Sequence, residues 1–332
     1  MSPDRLLETA YLYRTAKVLL SAVELGVFTA LAKGPLCESA LRNRLAIADR
    51  GSRDFFDALV ALGLLERRSA GRYANSAEAD LYLDAGKATY VGGLLESLSA
   101  REFGAWNVLT TALRTGEPQT GFQASEHFGQ LHADPARRTL FVRGMTGASR
   151  PIAWAMADRF PWQQYSTLLD VGTAEGGLPV EVAKRHSHLT GGGFDLPVLQ
   201  GDFDRLVREN GLQHRLRFHG GDFFSEPLPS ADVLVMGRVL HNWDIHRKHL
   251  LLRKAYDALP SGGALIVYES LIDNERGSTL PGLLSSLNML IMTSGGFDFT
   301  PAECTAWMRE VGFRSLRVEP LTRLHGMITG VK

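Results

Sequence analysis

The residue types that could bind a nucleoside stand in one short glycine-rich segment. Gly172, Gly176 and Gly177 directly follow an apolar run at residues 168–171. Asp195 closes the next apolar run. Glycine lets the backbone approach a ligand closely, the N-terminus of a following helix offers free N–H groups, and a carboxylate can accept hydrogen bonds from both ribose hydroxyls. The pattern predicts the first β-α-β unit of a nucleotide-binding sheet.

The spacing of these glycines differs from that of a dinucleotide-binding loop. The segment 172–177, GTAEGG, lacks the second glycine of the G-x-G-x-x-G pattern, which makes room for pyrophosphate. Glu175 also brings a negative charge to the region where a phosphate would lie. A nucleoside without phosphates and with a cationic centre fits this loop better, and S-adenosylmethionine has that chemistry. A glycine-rich turn that only packs is the alternative interpretation.

Length, charge and cysteine content limit the class of protein. The chain has 332 residues, 36 basic and 36 acidic side chains and a formal net charge of zero, which argues against a nucleic-acid or anionic-membrane surface. Only Cys37 and Cys304 are present, without a CxxC pair, so no disulfide framework is implied. No signal peptide and no membrane-spanning apolar run is recognisable. We therefore expect a soluble, cytoplasmic protein, long enough for two domains.

The elements that must position the glycine loop alternate along the second half of the chain. Apolar segments and helical patterns follow one another from residue 168 onwards, which predicts a doubly wound, mostly parallel α/β sheet. Ligands of such sheets bind at the carboxyl ends of the strands. Five positions in order at those ends predict a site: Asp170 with Gly172, Asp195, Asp222, the segment from Arg238 to His241, and Glu269.

The first hundred residues have the pattern of a winged-helix module. Residues 5–32 are predicted to be helical and apolar almost all round after Ala16, so a second subunit is the expected cover. Two short helices and a turn at Gly71 follow. Residues 1–100 hold 12 Lys+Arg and 12 Asp+Glu, whereas a DNA-binding module should be net basic. This balance favours a dimerisation role over a DNA-binding one.

Taken together, these segments resemble the S-adenosylmethionine-dependent small-molecule O-methyltransferases, a family that includes plant caffeate-type, acetylserotonin and bacterial natural-product enzymes. The resemblance implies a Rossmann-like doubly wound methyltransferase domain with a helical linker at residues 99–332. It also implies an N-terminal all-helical winged-helix dimerisation domain at residues 1–98, and a homodimer formed through it. The matching runs cover nearly the whole chain: AVELGVF, LLDVG, GFDLP, GGDFF, RVLHNW, LPSGGALIVYESL and LNMLIMTSGG.

The resemblance also implies roles for individual residues. His241 takes the position of the catalytic base, with Glu269 and Asp298 as the flanking acidic residues. The positions that would bind S-adenosylmethionine, or its product S-adenosylhomocysteine, are Gly172, Asp195, Leu196, Asp222, Phe223, Arg238 and Trp243. The positions that would line the pocket of the methyl acceptor are Phe141, Met145, Asn288, Met289 and Thr293.

Three departures from the family pattern affect these roles. GTAEGG replaces the commoner GGGxG in the glycine loop. Asn242 follows His241 where aspartate is usual, so one local carboxylate is lost. Asp298 is one methylene shorter than the usual glutamate, which weakens its assignment as the residue that orients His241.

The proposed residues suit methyl transfer to the hydroxyl of an aromatic small molecule, as in secondary metabolism and antibiotic biosynthesis. A phenol has a pKa of about 10 and is mostly protonated at neutral pH. A histidine that titrates at about pH 6.5 can accept this proton during attack, which is worth about 10²–10⁴-fold in rate. Glu269 can hydrogen-bond the far ring nitrogen and fix the tautomer. No metal is required, because the acidic residues lack ligand spacing.

Two alternatives stay open on the sequence alone. The first is methylation of a carbon of an activated aromatic ring or an amino-acid-like acceptor, because deprotonation of a phenol by His241 also makes its ortho carbon nucleophilic. The second is a winged-helix regulator that uses the sheet as a ligand sensor, which the balanced charge of the N-terminal segment disfavours. A nicotinamide-dependent dehydrogenase is disfavoured by the missing glycine of the loop.

Overall fold

The computed structural model of the protein describes residues 2–87, 89–119 and 134–332. The chain forms two compact units, Met1–Gly104 and Ala105–Lys332. The sequence-based boundary between residues 98 and 99 stays a prediction. Within the described residues, no helix combines the length and apolar character needed to cross a membrane.

The first unit is mostly helical and carries one short hairpin. Strands β1 and β2 pair antiparallel, with Leu65 opposite Asn75, and form the wing that the sequence predicts. The continuous helix predicted over residues 5–32 is wrong, because Gly26 adopts a left-handed conformation with φ of 72° and separates two helices. The elements are α1 Asp4–Glu24, α2 Val27–Leu31, α3 Glu38–Arg44, α4 Ser52–Ala61, β1 Leu65–Arg67, β2 Tyr73–Asn75, α5 Ala77–Leu83 and α6 Gly92–Ser97.

The two halves of α1 differ in burial. Its C-terminal half contributes Leu20, Ala22 and Val23 to buried positions of this unit. The N-terminal half leaves large apolar side chains in solvent, although burial of such side chains is normally favourable. The exposed side chains are Leu6, Leu7, Tyr11, Leu12 and Tyr13.

The described part of the second unit is organised by a seven-stranded sheet in the order β5-β4-β3-β6-β7-β9-β8. Strands β3 to β7 run parallel, while β9 is antiparallel to β7 and to β8. This order confirms the predicted doubly wound sheet, with β3 between β4 and β6 where the chain changes direction. The strands are β3 Thr167–Val171, β4 Thr190–Asp195, β5 Leu216–Gly220, β6 Val233–Gly237, β7 Ala264–Glu269, β8 Arg314–Pro320 and β9 Gly326–Val331.

Helices cover both faces of this sheet. In β6, Leu234 and Met236 belong to one buried cluster, while Val233 and Val235 belong to a second cluster on the opposite face. A strand that is buried on both faces has a continuous run of apolar residues, which explains why this strand could be predicted from the sequence. The helices are α7 Leu109–Thr115, α8 Pro135–Arg159, α9 Gly177–Arg185, α10 Gln200–Glu209, α11 Ile245–Ala258, α12 Leu280–Met292 and α13 Pro301–Val311.

Candidate active site

The glycine loop between β3 and α9 requires its glycines for steric reasons. Gly172 and Gly176 have φ angles of 78° and 87°, in the region that favours glycine. A Cβ atom on Gly172 would lie 2.6 Å from the Cγ2 atom of Val239, and one on Gly176 would lie 2.6 Å from the ring of Phe203. The backbone of the loop is therefore open at the N-terminus of α9, where a ligand can approach it.

Asp195 lies at the carboxyl end of β4 and is tied to the glycine loop. Its Oδ2 atom accepts a hydrogen bond from the backbone N–H of Ala174 at 2.8 Å, and its Oδ1 atom accepts one from that of Leu196 at 2.7 Å. Burial raises the pKa of Asp195, and the two N–H donors oppose this rise. Each carboxylate oxygen can accept a second hydrogen bond, so the side chain keeps acceptor capacity for the hydroxyls of a ligand.

Glu175, the acidic residue of the loop, is already paired within the protein. Its buried carboxylate lies 2.9 Å from the guanidinium group of Arg205 on α10. The charge of Glu175 is therefore balanced by this chain, and it gives no argument for a cationic ligand. The sequence alone did not indicate this pairing, because Arg205 lies 30 residues further along the chain.

The segment after β5 forms an aromatic cluster with Trp243. Phe223 and Phe224 lie with their ring centroids 6.0 and 4.6 Å from that of Trp243. The Oδ1 atom of Asp222 accepts a hydrogen bond from the backbone N–H of Phe224 at 2.8 Å, which holds the turn. Trp243 is buried in the core and supports Phe223. The cofactor contacts expected of these residues stay predictions.

The loop after β6 carries His241 in a constrained backbone. Arg238 is not a glycine yet has a φ angle of 55°, a conformation that costs energy. Asn242 donates a hydrogen bond from its Nδ2 atom to the backbone oxygen of Arg238 at 2.9 Å and so closes the turn. An aspartate could not donate this bond, which gives Asn242 a structural role where the family usually has a carboxylate.

His241, Glu269 and Asp298 come together at the end of the sheet. The Nδ1 atom of His241 lies 3.3 Å from Asp298 Oδ1 and 3.6 Å from Glu269 Oε2. Glu269 also accepts a hydrogen bond from the backbone N–H of His241 at 3.3 Å. All three side chains are buried. The shorter side chain of Asp298 therefore still reaches the ring, and two carboxylates face one ring nitrogen.

The Nδ1 atom of His241 and the facing carboxylate oxygens are buried, and none of them makes a well-aligned hydrogen bond to the residues that the structure describes. Two helix starts hold the neighbouring loops in place. Asp244 caps α11 by accepting a hydrogen bond from the N–H of Arg247 at 3.0 Å, immediately after the loop of His241. Thr300 and Glu303 form a capping box that starts α13 two residues after Asp298.

Electrostatic interactions change the titration of this cluster. Burial alone would lower the pKa of His241, but the negative charges of Glu269 and Asp298 outweigh it and raise the pKa above its ordinary value. The positive charge of Arg238 acts in the opposite direction. Burial also raises the pKa of Glu269. A histidine between two carboxylates is therefore a stronger proton acceptor than an exposed one.

The same three side chains are of types that can bind a metal ion. One ligand atom from each lies within 4.8 Å of the others. The family resemblance predicted that these three residues lie together, but the sequence analysis did not consider them as a set of metal ligands. The expectation that no metal is required stays a prediction.

The residues expected to line the acceptor pocket on α12 are partly engaged with the protein. Thr293 donates a hydrogen bond to the backbone oxygen of Met289 and accepts one from the N–H of Gly296, both at 2.8 Å. Asn288 accepts a hydrogen bond at its Oδ1 atom from the indole N–H of Trp106 at 3.1 Å. The hydroxyl group of Thr293 therefore serves to end α12, while the amide nitrogen of Asn288 makes no hydrogen bond to the part of the chain that the structure describes.

The two expected pocket residues on α8 differ in what can be said of them. Met145 packs against Val142, Ala174 and Leu199, so it lies beside the glycine loop. The side chain of Phe141 lies outside the described part of the chain. Their roles in binding an acceptor stay predictions.

Sequence reasoning missed two titratable residues near His241. His325 precedes β9, and burial together with the charges of Arg238 and His241 lowers its pKa to about 4. Lys248 on α11 is fully buried. Nothing in the sequence marks His325, but Lys248 shares the buried stripe of α11 with Leu251, Leu252 and Ala255, and a lysine in such a stripe is a usable signal.

Comparisons with known proteins agree with the fold of both units. Residues 106–314 match the O-methyltransferase domain, and residues 7–85 match the O-methyltransferase dimerisation domain. The tetracenomycin polyketide synthesis 8-O-methyl transferase TcmO of Streptomyces glaucescens is 40% identical over 95% of this chain and 92% of its own length. The N,N-dimethyltransferase OxyT of Streptomyces rimosus is 39% identical over 98% of this chain and 96% of its own length.

A solved structure extends this likeness. The crystal structure of human N-acetylserotonin methyltransferase in complex with S-adenosylmethionine superposes with a TM-score of 0.91 at 28% identity, over 100% of this chain and 98% of that chain.

The pKa of His241 provides a test of the carboxylate cluster. We expect the imidazole of His241 to titrate above about pH 6.5, and both Glu269→Gln and Asp298→Asn to lower its pKa, because each removes a negative charge. NMR of the protein with labelled histidine measures this titration, with His241→Asn to assign the signal. An unchanged pKa in both variants would contradict the assigned electrostatics, and Glu310→Gln, which is paired with His249, is the control.

Proposed function

The chain belongs to the O-methyltransferase family, which uses S-adenosylmethionine, and from this premise we propose that it methylates a hydroxyl group of an aromatic polyketide. The observation that carries the proposal is the buried His241 with two carboxylates at Nδ1. A relative at 40% identity is named as an enzyme of tetracenomycin polyketide synthesis, which favours this acceptor class and a role in antibiotic biosynthesis.

The residues around the glycine loop fit the cofactor. The open backbone at Gly172 would lie against its methionine part, and the free acceptor capacity of Asp195 suits the two hydroxyls of its ribose. Leu196, Asp222 and Phe223 follow at the ends of the neighbouring strands and would surround the adenosine. We assign the cofactor-facing roles of Arg238 and Trp243 on the family resemblance. When bound, S-adenosylmethionine supplies an electrophilic methyl group on a sulfonium centre.

His241 acts as the general base in this proposal. Its Nε2 atom accepts the proton of the acceptor hydroxyl during attack, and the Nδ1–H group faces Asp298 and Glu269. The two carboxylates fix this tautomer and stabilise the imidazolium that forms, as a buried partner charge does in other acid–base sites. In this account the cluster binds a proton and needs no metal ion.

The nature of the accepting atom is the open part of the proposal. Carbon methylation of an activated ring uses the same deprotonation by His241. Transfer to nitrogen is a second candidate, because a relative at 39% identity is named an N,N-dimethyltransferase. The free amide nitrogen of Asn288 and the buried Met289 suit an apolar, aromatic acceptor with a hydrogen-bond acceptor such as a carbonyl group.

The acceptor class is tested with a pool of phenolic polyketides, hydroxynaphthoates and aromatic amines incubated with methyl-labelled cofactor. We expect label in phenolic compounds, detected by mass spectrometry. NMR of the product then distinguishes an O-methyl from a C-methyl or N-methyl group by chemical shift. Label confined to amines or to ring carbon would replace the proposed acceptor, and absence of label from every compound class would contradict it.

The variant His241→Asn tests the general base. We expect turnover to fall by about 10²–10⁴-fold, with unchanged affinity for S-adenosylhomocysteine, because only proton transfer is lost. In the wild-type protein, kcat/KM should rise with pH through the raised pKa of His241, since only the neutral ring accepts a proton. His246→Asn, at an exposed position of α11, is the matched control. Full turnover by His241→Asn would mean that orientation alone suffices.

The variant Asp195→Asn tests the cofactor site. An asparagine side chain has one acceptor oxygen, so it can accept a hydrogen bond from only one of the two backbone N–H groups. It also lacks the negative charge that strengthens hydrogen bonds from the ribose hydroxyls. We expect the affinity for S-adenosylhomocysteine to fall roughly ten- to hundredfold, measured by isothermal titration calorimetry. Asp204→Asn on α10 is the control. Equal affinity of both variants and the wild type would remove Asp195 from the site.

We also propose that the protein forms a homodimer through its first unit. The dimerisation-domain match covers residues 7–85. The apolar side chains exposed on the N-terminal half of α1 form the surface that a second copy would cover, because large apolar groups gain free energy when they leave water.

The double variant Leu6→Asp/Leu12→Asp tests this surface. The two side chains are 71% and 61% exposed, so the aspartates should not affect the folding of a single chain. Buried between two chains, the same charges would disfavour the interface. We expect light scattering after size-exclusion chromatography to give the mass of two chains for the wild type and of one for the variant. Leu324→Asp, an exposed leucine of the second unit, should remain dimeric. A wild type with the mass of one chain would contradict the dimer.

A further inference from the structure

Lys248 is a buried cation that the proposed reaction does not yet use. Its side chain has no exposed surface, although lysine is almost never fully buried unless it is paired. No carboxylate within the described residues approaches its Nζ atom to salt-bridge distance. The contacts of its ammonium group are therefore informative about its purpose.

These contacts join two segments of the active site. The Nζ atom donates a hydrogen bond to the backbone oxygen of Trp243, which ends the loop of His241. It also lies 3.3 Å from the ring centroid of Phe297, the residue immediately before Asp298. A cation over the face of an aromatic ring is attracted by the ring quadrupole, and more strongly when it is shielded from water. The ammonium group of Lys248 therefore links the loop that carries His241 to the segment that carries Asp298.

The charge of Lys248 also matters to the cluster. Glu269 and Asp298 are two carboxyl groups in a buried space, where each negative charge is costly without compensation. Burial lowers the pKa of Lys248 to about 8, with the nearby acidic groups opposing that fall, so it remains mostly charged at neutral pH. The groups that interact electrostatically with the ammonium group of Lys248 are Glu269, Asp298, Asp244 and Cys304. His241 in turn interacts electrostatically with Arg238 and His325.

We propose that Lys248 is a positioning residue for methyl transfer, whose buried ammonium group joins the His241 loop to the Asp298 segment and balances the charge of the two carboxylates. This inference rests on the proposed role of His241. Without the ammonium group, the net negative charge of the cluster increases, and every group in it retains its proton to a higher pH. His241 would then be protonated, and unable to accept a proton, over more of the neutral range.

The variants Lys248→Met and Lys248→Gln test the charge. Glutamine can still donate to the Trp243 oxygen, so it separates the loss of charge from the loss of the hydrogen bond. For both variants we expect kcat to fall at least about tenfold with little change in KM, and the acidic limb of kcat/KM to move up by roughly one pH unit. The NMR titration of His241 should move in the same direction.

Two further variants keep the positive charge at position 248. Lys248→Arg carries it on a different side chain, and Phe297→Leu leaves Lys248 unchanged. We expect both to lower kcat through altered packing while the acidic limb stays at its wild-type pH. Lys254→Met, on the same helix and without a contact to the site, is the matched control and should behave as wild type. These variants carry the test if Lys248→Met fails to fold.

Two results would overturn the inference. One is a Lys248→Gln protein with the wild-type kcat and an unshifted His241 titration. The other is an equal shift of the acidic limb in Phe297→Leu, which would assign the effect to packing. Failure of the proposed function is recognised separately, because His241→Asn would then retain turnover while the NMR titration of His241 still reports on the charge of Lys248.

Discussion

The contact between the ring of His241 and two buried carboxylates is the constraint on which the site depends. Two negative charges in a space without water are unfavourable unless nearby positive or hydrogen-bonding groups compensate them. The backbone N–H of His241 hydrogen-bonds Glu269, and Lys248 and Arg238 contribute positive charge nearby. The cluster is therefore stable only if the surrounding loops are held accurately, and its stability and its capacity to accept a proton have the same physical origin.

The sheet provides that accuracy. Because β3, β4, β6 and β7 run parallel, their carboxyl ends meet at one edge, and the side chains that follow them are brought together without any contact between them in sequence. Helix starts then fix the loops, through the Asp244 cap before α11 and the capping box of Thr300 before α13. The glycine loop and the loop of His241 are thus supported by the same parallel strands.

The departures from the family pattern have physical explanations in the structure. Asn242 donates a hydrogen bond that closes the His241 turn, which the usual aspartate could not do. Asp298 still lies closer to Nδ1 than Glu269 does, despite its shorter side chain. The buried Lys248 follows the same loop, and the negative charges of Glu269 and Asp298 oppose the fall in its pKa that burial causes. The site is best understood as one set of charges, since a change in any member alters the titration of the others.

The sequence by itself determined the order of strands and helices, the glycine loop and the position of His241. These features depend on local patterns, because strands that are buried on both faces are continuous apolar runs in the sequence. Only the tertiary structure decided that Arg205 neutralises Glu175, that Trp106 binds Asn288 and that Lys248 contacts Phe297. Such partners are distant in the chain, and their contacts depend on how the strands and helices pack, which no local pattern records.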